Sequence, residues 1–388
     1  MDILHVASDF PYPPHHGGRV DIWGRVCALA ELGHTIHLIA TVRNRPGPDE
    51  LRVVQERVAR LDLVERRSNL AGLLSSLPLQ VSTRRGLRSV PLWPHYDLTL
   101  LEQEFTSSIL ENPQLHTSRV ILRVHNDEPE FLTDLRMASP SAWKQAYYAL
   151  EARRFQTWSP YVFSKVDGLW FISSDHCRKW IEAHPGEAGH ATWLPPPITR
   201  TMLPPRPAPG ANVLFVGNLV APTNIQGLEW YLNEVQPALR RIPGYRFTIA
   251  GSLLGNSLPP ALRRARERGD CSLLLNARDL TAVYRESAIF VNPMQRGASL
   301  KLKTINAAEQ GLPIVTTSVG NEGTGFQHDV HLLVADQPAG FASSVHRLLT
   351  VPQDRMSLTI SSQNFLRARY DQGQQLCRLL APAVLGAS

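Results

Sequence analysis

Residues 293–313, PMQRGASLKLKTINAAEQGLP, place Lys301 and Lys303 directly behind a loop of small residues, at the start of a helical pattern. Loop N–H groups, the positive end of the helix and two ammonium groups together form a clamp for a diphosphate. Lysines this early in a helix oppose its dipole by ~0.3–1 kcal/mol each unless an anion offsets them. A local conflict of that kind is what a binding site leaves in a sequence. Gly297, Ser299 and Leu300 belong to the same loop and are expected to meet the donor group through backbone, with Asn306 one helical turn further on.

Four other polar loops carry weaker signals. Gly17-Gly18 lies at the mouth of a helix, where the backbone can approach an anion closely; it is not a GxGxxG dinucleotide fingerprint. The adjacent His15 and His16 suit a loop better than two ligands of one metal. Arg123-Val-His125-Asn126-Asp127-Glu128 projects from a strand end, with His125 as a catalytic or orienting candidate and Asn126 and Glu128 as acceptor-binding candidates. Gly217-Asn218, followed by Pro222-Thr223-Asn224, admits a phosphate or sugar close to the backbone, or makes an ordinary turn. The turn 276–280, which contains Arg278, offers backbone to a base edge, and Asp279 also suits a helix cap.

The elements that must position these loops alternate regularly. An apolar run at 3–7, a helical pattern closed by Gly33 and a second apolar run from Thr35 make a βαβ unit of an open parallel sheet. Strands follow at 97–101, 119–124 and 168–172, with a long helix near 141–163. A proline-rich passage from Trp193 to Pro209 interrupts the pattern and is read as a linker. Beyond it strands are predicted at 212–217, 246–251, 272–275, 289–292 and 314–317, with a helix at 226–241. The expected domains are 1–198, 199–371 and a terminal helix segment 372–388 that crosses back to the first. In doubly wound sheets, ligands bind beyond the carboxyl ends of the strands, where all five loops lie.

The chain of 388 residues is long enough for two cores, and 43% hydrophobic with 19% charged residues describes a folded globular protein. Four widely separated cysteines without CxxC spacing argue against a structural zinc or redox pair and suit a reducing compartment. No apolar run approaches the ~18 residues of a membrane span. The N-terminus has no basic region or cleavage site of a signal peptide, so a cytoplasmic location is expected. A net charge of +6 implies an anionic partner. Arginines concentrate at 52–88 and at 263–268, each group reading equally as a solvated face or a functional patch. Neither interleaves aromatics in the manner of a base-stacking platform, so nucleic acid is not expected.

In order and spacing these motifs resemble the GT-B glycosyltransferases of the bacterial family-4 type over almost the whole chain. The resemblance rests on Pro11 to Gly18, Leu32-Gly33-His34, Arg123-x-His125-Asn126-x-Glu128, Ser173-Ser174-Asp175 and Phe215-Val-Gly-Asn218. Gly297, Lys301 and Lys303 leading into Gly311, Pro313, Val315 and Thr317 complete it, with Gly320-x-Glu322-Gly323. It implies an α/β protein of two Rossmann-like domains facing each other across a cleft, acceptor on the first and nucleotide sugar on the second. Lys301 and Lys303 would neutralise the departing diphosphate, and His125 would lie near the donor sugar. The reaction would need no metal, no cofactor beyond the nucleotide-sugar substrate, and would retain configuration. The acceptor would be a glycan, a lipid-linked sugar or a small molecule, with the basic 52–88 stretch facing an acidic glycan, a lipid pyrophosphate or the inner membrane surface. The sequence departs from the pattern at Asn306, where the family carries a ribose-binding glutamate, at Ala298 in place of an earlier glutamate, and at Ser299 in place of glycine. A sugar-nucleotide 2-epimerase of the same fold and a non-catalytic nucleotide-sugar-binding subunit are the alternatives.

Overall fold

The computed structural model describes residues 1–14, 17–67, 75–139, 141–198, 202–205, 210–253, 255–277, 279–297 and 300–381. The chain forms two compact units. The first comprises Met1–Arg136, Ser141–Pro197 and Arg369–Ser388, and the second Met137–Pro140 with Ile198–Ala368.

In the first unit, β1 (Asp2–Ala7), α1 (Gly17–Glu31), β2 (Thr35–Val42), α2 (Pro48–Gln55), β3 (Arg60–Glu65) and α3 (Leu79–Ser82) lead to β4 (Leu98–Glu102). A 3-10 segment (Glu104–Glu111), β5 (Val120–Val124), α4 (Glu128–Ala138), α5 (Ala142–Phe163), β6 (Gly168–Phe171), α6 (Ser174–Ala183) and β7 (Ala191–Trp193) complete it. Strand order is β3-β2-β1-β4-β5-β6-β7, all parallel. Five of the six residues of β1 and seven of the eight of β2 are buried, as expected of a parallel sheet covered on both faces. Gly33, at φ +80°, ends α1 in the left-handed conformation that glycine adopts without penalty, and the His34 N–H returns to Leu29 O at 3.1 Å.

The second unit runs β8 (Ala211–Asn218), α7 (Pro222–Trp230), a π-helical turn (Tyr231–Val235), α8 (Gln236–Leu239), β9 (Tyr245–Ser252), α9 (Pro260–Glu267), β10 (Ser272–Leu275), α10 (Thr281–Arg285) and β11 (Ile289–Asn292). Next come α11 (Leu302–Glu309), β12 (Ile314–Thr316), α12 (Ser318–Asn321), β13 (Leu333–Val334), α13 (Pro338–Thr350) and α14 (Pro352–Arg369). Its parallel sheet has the order β10-β9-β8-β11-β12-β13. The strand order reverses between β1 and β4 in the first unit and between β8 and β11 in the second. Those switch points open the crevices that hold ligands in doubly wound folds. The last helix, α15 (Gln372–Leu380), packs on α1 through Leu376 and anchors to Pro195 O through Gln372 Nε2 at 2.6 Å.

Three local readings change. The helix expected at 226–241 begins at Pro222, because proline suits the first helical turn, and widens into the π turn ahead of Pro237. Pro237 has no N–H to give, and its ring would crowd the carbonyl four residues back. The short outer strands β3, β7 and β13 escape prediction, since β3 alternates charge with apolar residues and the other two span three and two residues. Part of the proline-rich passage is docked within the second unit: Leu203 N–H donates to Glu309 O at 2.9 Å, and Gln363 Nε2 donates to Leu203 O at 2.7 Å.

Candidate functional site

Two clusters form at the switch points, one in each unit. In the second unit the loop from Pro293 leaves β11 and feeds α11, with Lys301 at the N-cap and Lys303 in the first turn. Asn292 fixes this corner: its Nδ2 donates to Thr304 Oγ1 and to Gly320 O, both at 3.0 Å. A side chain at Gly227 of α7 would come within 2.6 Å of Pro293 O, so helix and loop lie in backbone contact there.

Lys303 turns back toward β8 and α7. Its Nζ donates to Asn224 Oδ1, lies 3.4 Å from Met294 Sδ and stands 4.9 Å above the centre of the Phe215 ring. No carboxylate pairs with it among the described residues. Its stem is only half-buried, but the charged end is enclosed. Burial, helped by the nearby positive Lys301, pushes the amine down to about 7. Lys301 is buried, donates to Gly297 O at 2.6 Å and lies 3.6 Å from Glu322 Oε2. The chemistry on offer is a pair of cations at a helix N-terminus, one of them lacking a counter-ion: a receptor for an oxyanion.

The neighbouring candidates gather around this pair. Gly217 packs under Phe215, and Asn224 Nδ2 donates to Asn218 O at 2.8 Å. Gly297, at φ +133°, adopts backbone reserved for glycine, and a side chain there would come within 3.1 Å of Met294 Cε and 3.8 Å of Lys301 Nζ. Leu300 O accepts from Leu302 N at 3.2 Å. Asn306 is exposed on α11; with its amide assigned so that the nitrogen faces the two acceptors beside it, both hydrogens go to Glu309 Oε2 (3.1 Å) and Leu302 O (3.2 Å). Its Oδ1 is therefore the atom left to meet a hydroxyl. Arg278 and Ser299, along with Ala298, His15 and His16, lie outside the described residues.

In the first unit, His125 belongs to a buried charge network that links β1, α1, β4 and β5. Glu102 Oε1 accepts from His5 Nε2 (2.7 Å) and Arg25 Nε (2.8 Å), while its Oε2 lies 2.8 Å from His125 Nε2. Asp21 pairs with Arg25 and, at 2.8 and 2.9 Å, with Arg123 in a two-pronged contact. Burial raises both acids' pKa values, but the guanidiniums outweigh it. Arg123 and Arg25 hold Asp21 low, and Arg25 with the two histidines holds Glu102 well below the carboxylate range. As ionised carboxylates accept only, each histidine offers Glu102 an Nε2–H, and His125 Nδ1 is the atom left to face a ligand.

Asp21, Glu102 and His125 also bring ligand atoms within 4.8 Å of one another. A cation there would have to displace Arg25 or Arg123. Gly17 and Gly18 form the first turn of α1, four and three residues ahead of Asp21. Asn126 Nδ2 donates to Glu128 Oε1 at 3.2 Å, and Glu128 is buried.

Sequence reasoning found His125 and Arg123 but not Asp21, Arg25, Glu102 or His5. The available signal was an Asp–Arg pair at i, i+4 on the buried face of α1 and charges ending otherwise apolar strands.

The basic 52–88 stretch is not one surface. Arg52, Arg57, Arg67 and Arg85 are exposed, whereas Arg84 is buried and Arg66 half-buried. Arg66 and Arg84 both donate to Ser8 O and to Thr41 Oγ1, and Arg66 and Arg19 both pair with Asp9. Burial lowers the pKa values of both guanidiniums, and neighbouring arginines lower them further against the opposing pull of Asp9. Arg263, Arg264 and Arg266 are exposed on α9, and Arg268, just beyond it, is exposed and pairs with Asp270.

Comparison with known proteins places these features in context. Residues 210–351 match the family described as "Glycosyl transferases group 1". The whole chain is similar to an uncharacterized 44.6 kDa protein of the cps region of Klebsiella pneumoniae, 34% identical over 383 residues, covering 95% of this chain and 96% of that one. Among solved structures, sucrose-phosphate synthase of Thermosynechococcus elongatus superposes with a TM-score of 0.68 at 16% identity, over 98% of each chain. HepE of Anabaena, solved in complex with UDP-glucose, gives 0.62 at 13% identity, over 98% of this chain and 99% of the other. These structures share the two-unit GT-B fold of parallel sheets. Among the described residues no helix is long and apolar enough to cross a membrane.

Proposed function

The chain belongs to the group 1 glycosyl transferases, and from that premise we propose that it moves a sugar from a nucleoside-diphosphate sugar, held by the second unit, to an acceptor hydroxyl presented by the first. The observation that carries the donor assignment is Lys303: an enclosed ammonium with no carboxylate partner among the described residues, beside Lys301 at a helix N-terminus. In sugar transfer, positive charge develops at the anomeric carbon as negative charge grows on the departing phosphate. Two preorganised cations lower the energy of that charge where it forms, which is the role a metal plays elsewhere. Gly297, Leu300 and Gly217 then supply close backbone, Asn306 Oδ1 accepts from a ribose hydroxyl, and Gly17 and Gly18 offer N–H groups at the start of α1 to an anion. The acceptor is a glycan, a lipid-linked sugar or a small molecule. Retention of configuration follows family analogy alone.

The direct test is turnover. A panel of nucleotide sugars is incubated with capsular oligosaccharide and lipid-linked acceptors, and release of nucleoside diphosphate is measured. Acceptor-dependent release supports transfer. Conversion of the donor's sugar without acceptor would instead identify an epimerase, and release of nothing across the panel would remove the enzymatic reading.

His125→Gln tests the first-unit cluster. Glutamine keeps a donor for Glu102 but removes the Nδ1 atom. Turnover should fall by about 10²-fold while nucleoside-diphosphate affinity changes less than about threefold, a kcat effect rather than a binding effect. An unchanged rate would take His125 out of the site.

Donor binding should also depend on pH through Lys303. Its surroundings hold this amine at about 7 and a diphosphate needs it protonated, so above that pH binding must take up a proton. Affinity is then expected to weaken by up to about tenfold per pH unit between about pH 7 and 9, measured by calorimetry. A flat profile would place the diphosphate away from Lys303.

A further inference from the structure

The first unit contains a cavity of about 500 Å³ between α5, α6 and the loops that follow β4 and β5. Gln103, a non-glycine residue at φ +65°, turns the chain there, so that Glu102 serves the His125 network while Glu104, two residues on, lines the cavity. Glu104 and Glu128 are both buried. Asp127 and Glu187 add two more acids to the wall, His176 on α6 and His184 just beyond its end are its other titratable groups, and among the described residues neither lysine nor arginine lines it.

The unsatisfied atoms there are ones that can accept. Glu104 Oε2 and Ser159 Oγ are buried with no hydrogen-bond partner; Ser159 is close enough to hold the acid's pKa down slightly but misses bonding geometry. Phe163 and Trp180 supply aromatic walls, with the Trp180 ring 4.6 Å from that of His184. Buried acids close together, free acceptors and aromatic faces together call for a ligand group that donates, is positively charged and tolerates an apolar surround. A phosphate or uronate would meet repulsion here.

We propose that this cavity binds an organic ammonium group, the free amine of an amino sugar, beside the His125 loop. The inference rests on the reading that the first unit holds the acceptor, and it adds the chemistry of one part of that acceptor. The carboxyl edge of this unit's sheet is divided in charge: arginines gather beyond β1 and β2, and acids beyond β4 and β5. Both acids of the pair hold a proton more tightly than a free carboxyl does. Burial pushes Glu104 up to about 7, and burial with the neighbouring Glu104 pushes Glu128 up to about 8. A bound ammonium replaces a proton, so binding releases one and weakens as pH falls below that range.

Calorimetric titration at neutral pH with glucosamine, and with glucose as its neutral match, tests this on the full chain. Glucosamine should bind at least about tenfold more tightly than glucose, a difference of about 1.4 kcal/mol. Glu104→Gln and Glu128→Gln should each lose about tenfold in glucosamine affinity with glucose unchanged. Both variants should still bind nucleoside diphosphate, which verifies that they are folded and separates this proposal from the donor assignment. If neither variant folds, proton release by the wild-type protein in two buffers of different ionisation enthalpy decides. Equal affinity for the two sugars, no glucosamine binding, no loss in either variant, or no proton release would each overturn the proposal.

Discussion

Lys303→Met should yield a protein that is more stable than the wild type and has lost about 10²–10³-fold in turnover. The two effects have one cause. Lys303 is held with its charged end enclosed and its pKa lowered from 10.5 to about 7, so without ligand the folded chain bears an unfavourable cation. Between about pH 7 and 10.5 the unfolded chain binds the proton more readily than the folded one, so stability rises with pH through that window and the penalty is complete below it. Methionine fills the space without charge. Allowing for solvent screening of a half-buried side chain, the gain at neutral pH should be on the order of 1–2 kcal/mol. A thermal melt would read it as a rise of several degrees. Turnover falls because the departing diphosphate loses the cation that faces it. A variant that is destabilised, or one that retains turnover, would show that Lys303 is an ordinary packed residue. This pairing of local instability with function is a common trade in proteins.

Arg25→Met should have the largest effect on stability, a loss of about 3–5 kcal/mol. Arg25 is buried between Asp21 and Glu102, and methionine would leave Glu102 with only the histidines and Asp21 with only Arg123 as strong partners. Two carboxylates would remain in a space closed to water, with too little positive charge to hold them ionised. Urea denaturation would measure the loss as a lower midpoint of the transition belonging to the first unit. Because Glu102 also orients His125, turnover should fall with stability in the fraction that stays folded. A loss below about 1 kcal/mol would mean that water enters and compensates, and that the network is not a buried scaffold.

The sheets were legible because a parallel strand covered on both faces must be a near-continuous apolar run, as 3–7, 36–42 and 289–292 are. The Lys301/Lys303 loop was legible because its chemistry is local: loop, helix start and cations fall within a dozen residues. The charge network was not, since Arg25 meets Glu102 across 77 residues and Arg123 meets Asp21 across 102. Pairing at that separation depends on which strand lies beside which, and no local pattern records it. Glu104 escaped for a related reason: an acid at the start of a 3-10 segment reads as a favourable helix-end charge until its burial is known. The arginines misled in the opposite way. Their density along the sequence suggested a face, yet Arg66 and Arg84 turn inward to Ser8 O, just beyond β1, while Arg67 and Arg85 face water.

Titration of the purified chain with a panel of nucleoside diphosphates, followed by the matching nucleotide sugars, tests the central claim most directly. At least one nucleoside diphosphate should bind at a single site and raise the folded state's stability by ~2.7 kcal/mol at a hundred times its dissociation constant. Lys303→Met should abolish that binding while melting at a higher temperature than the wild type. Absence of binding across the whole panel, or undiminished binding by Lys303→Met, would contradict the assignment of Lys301 and Lys303 as the donor's diphosphate clamp.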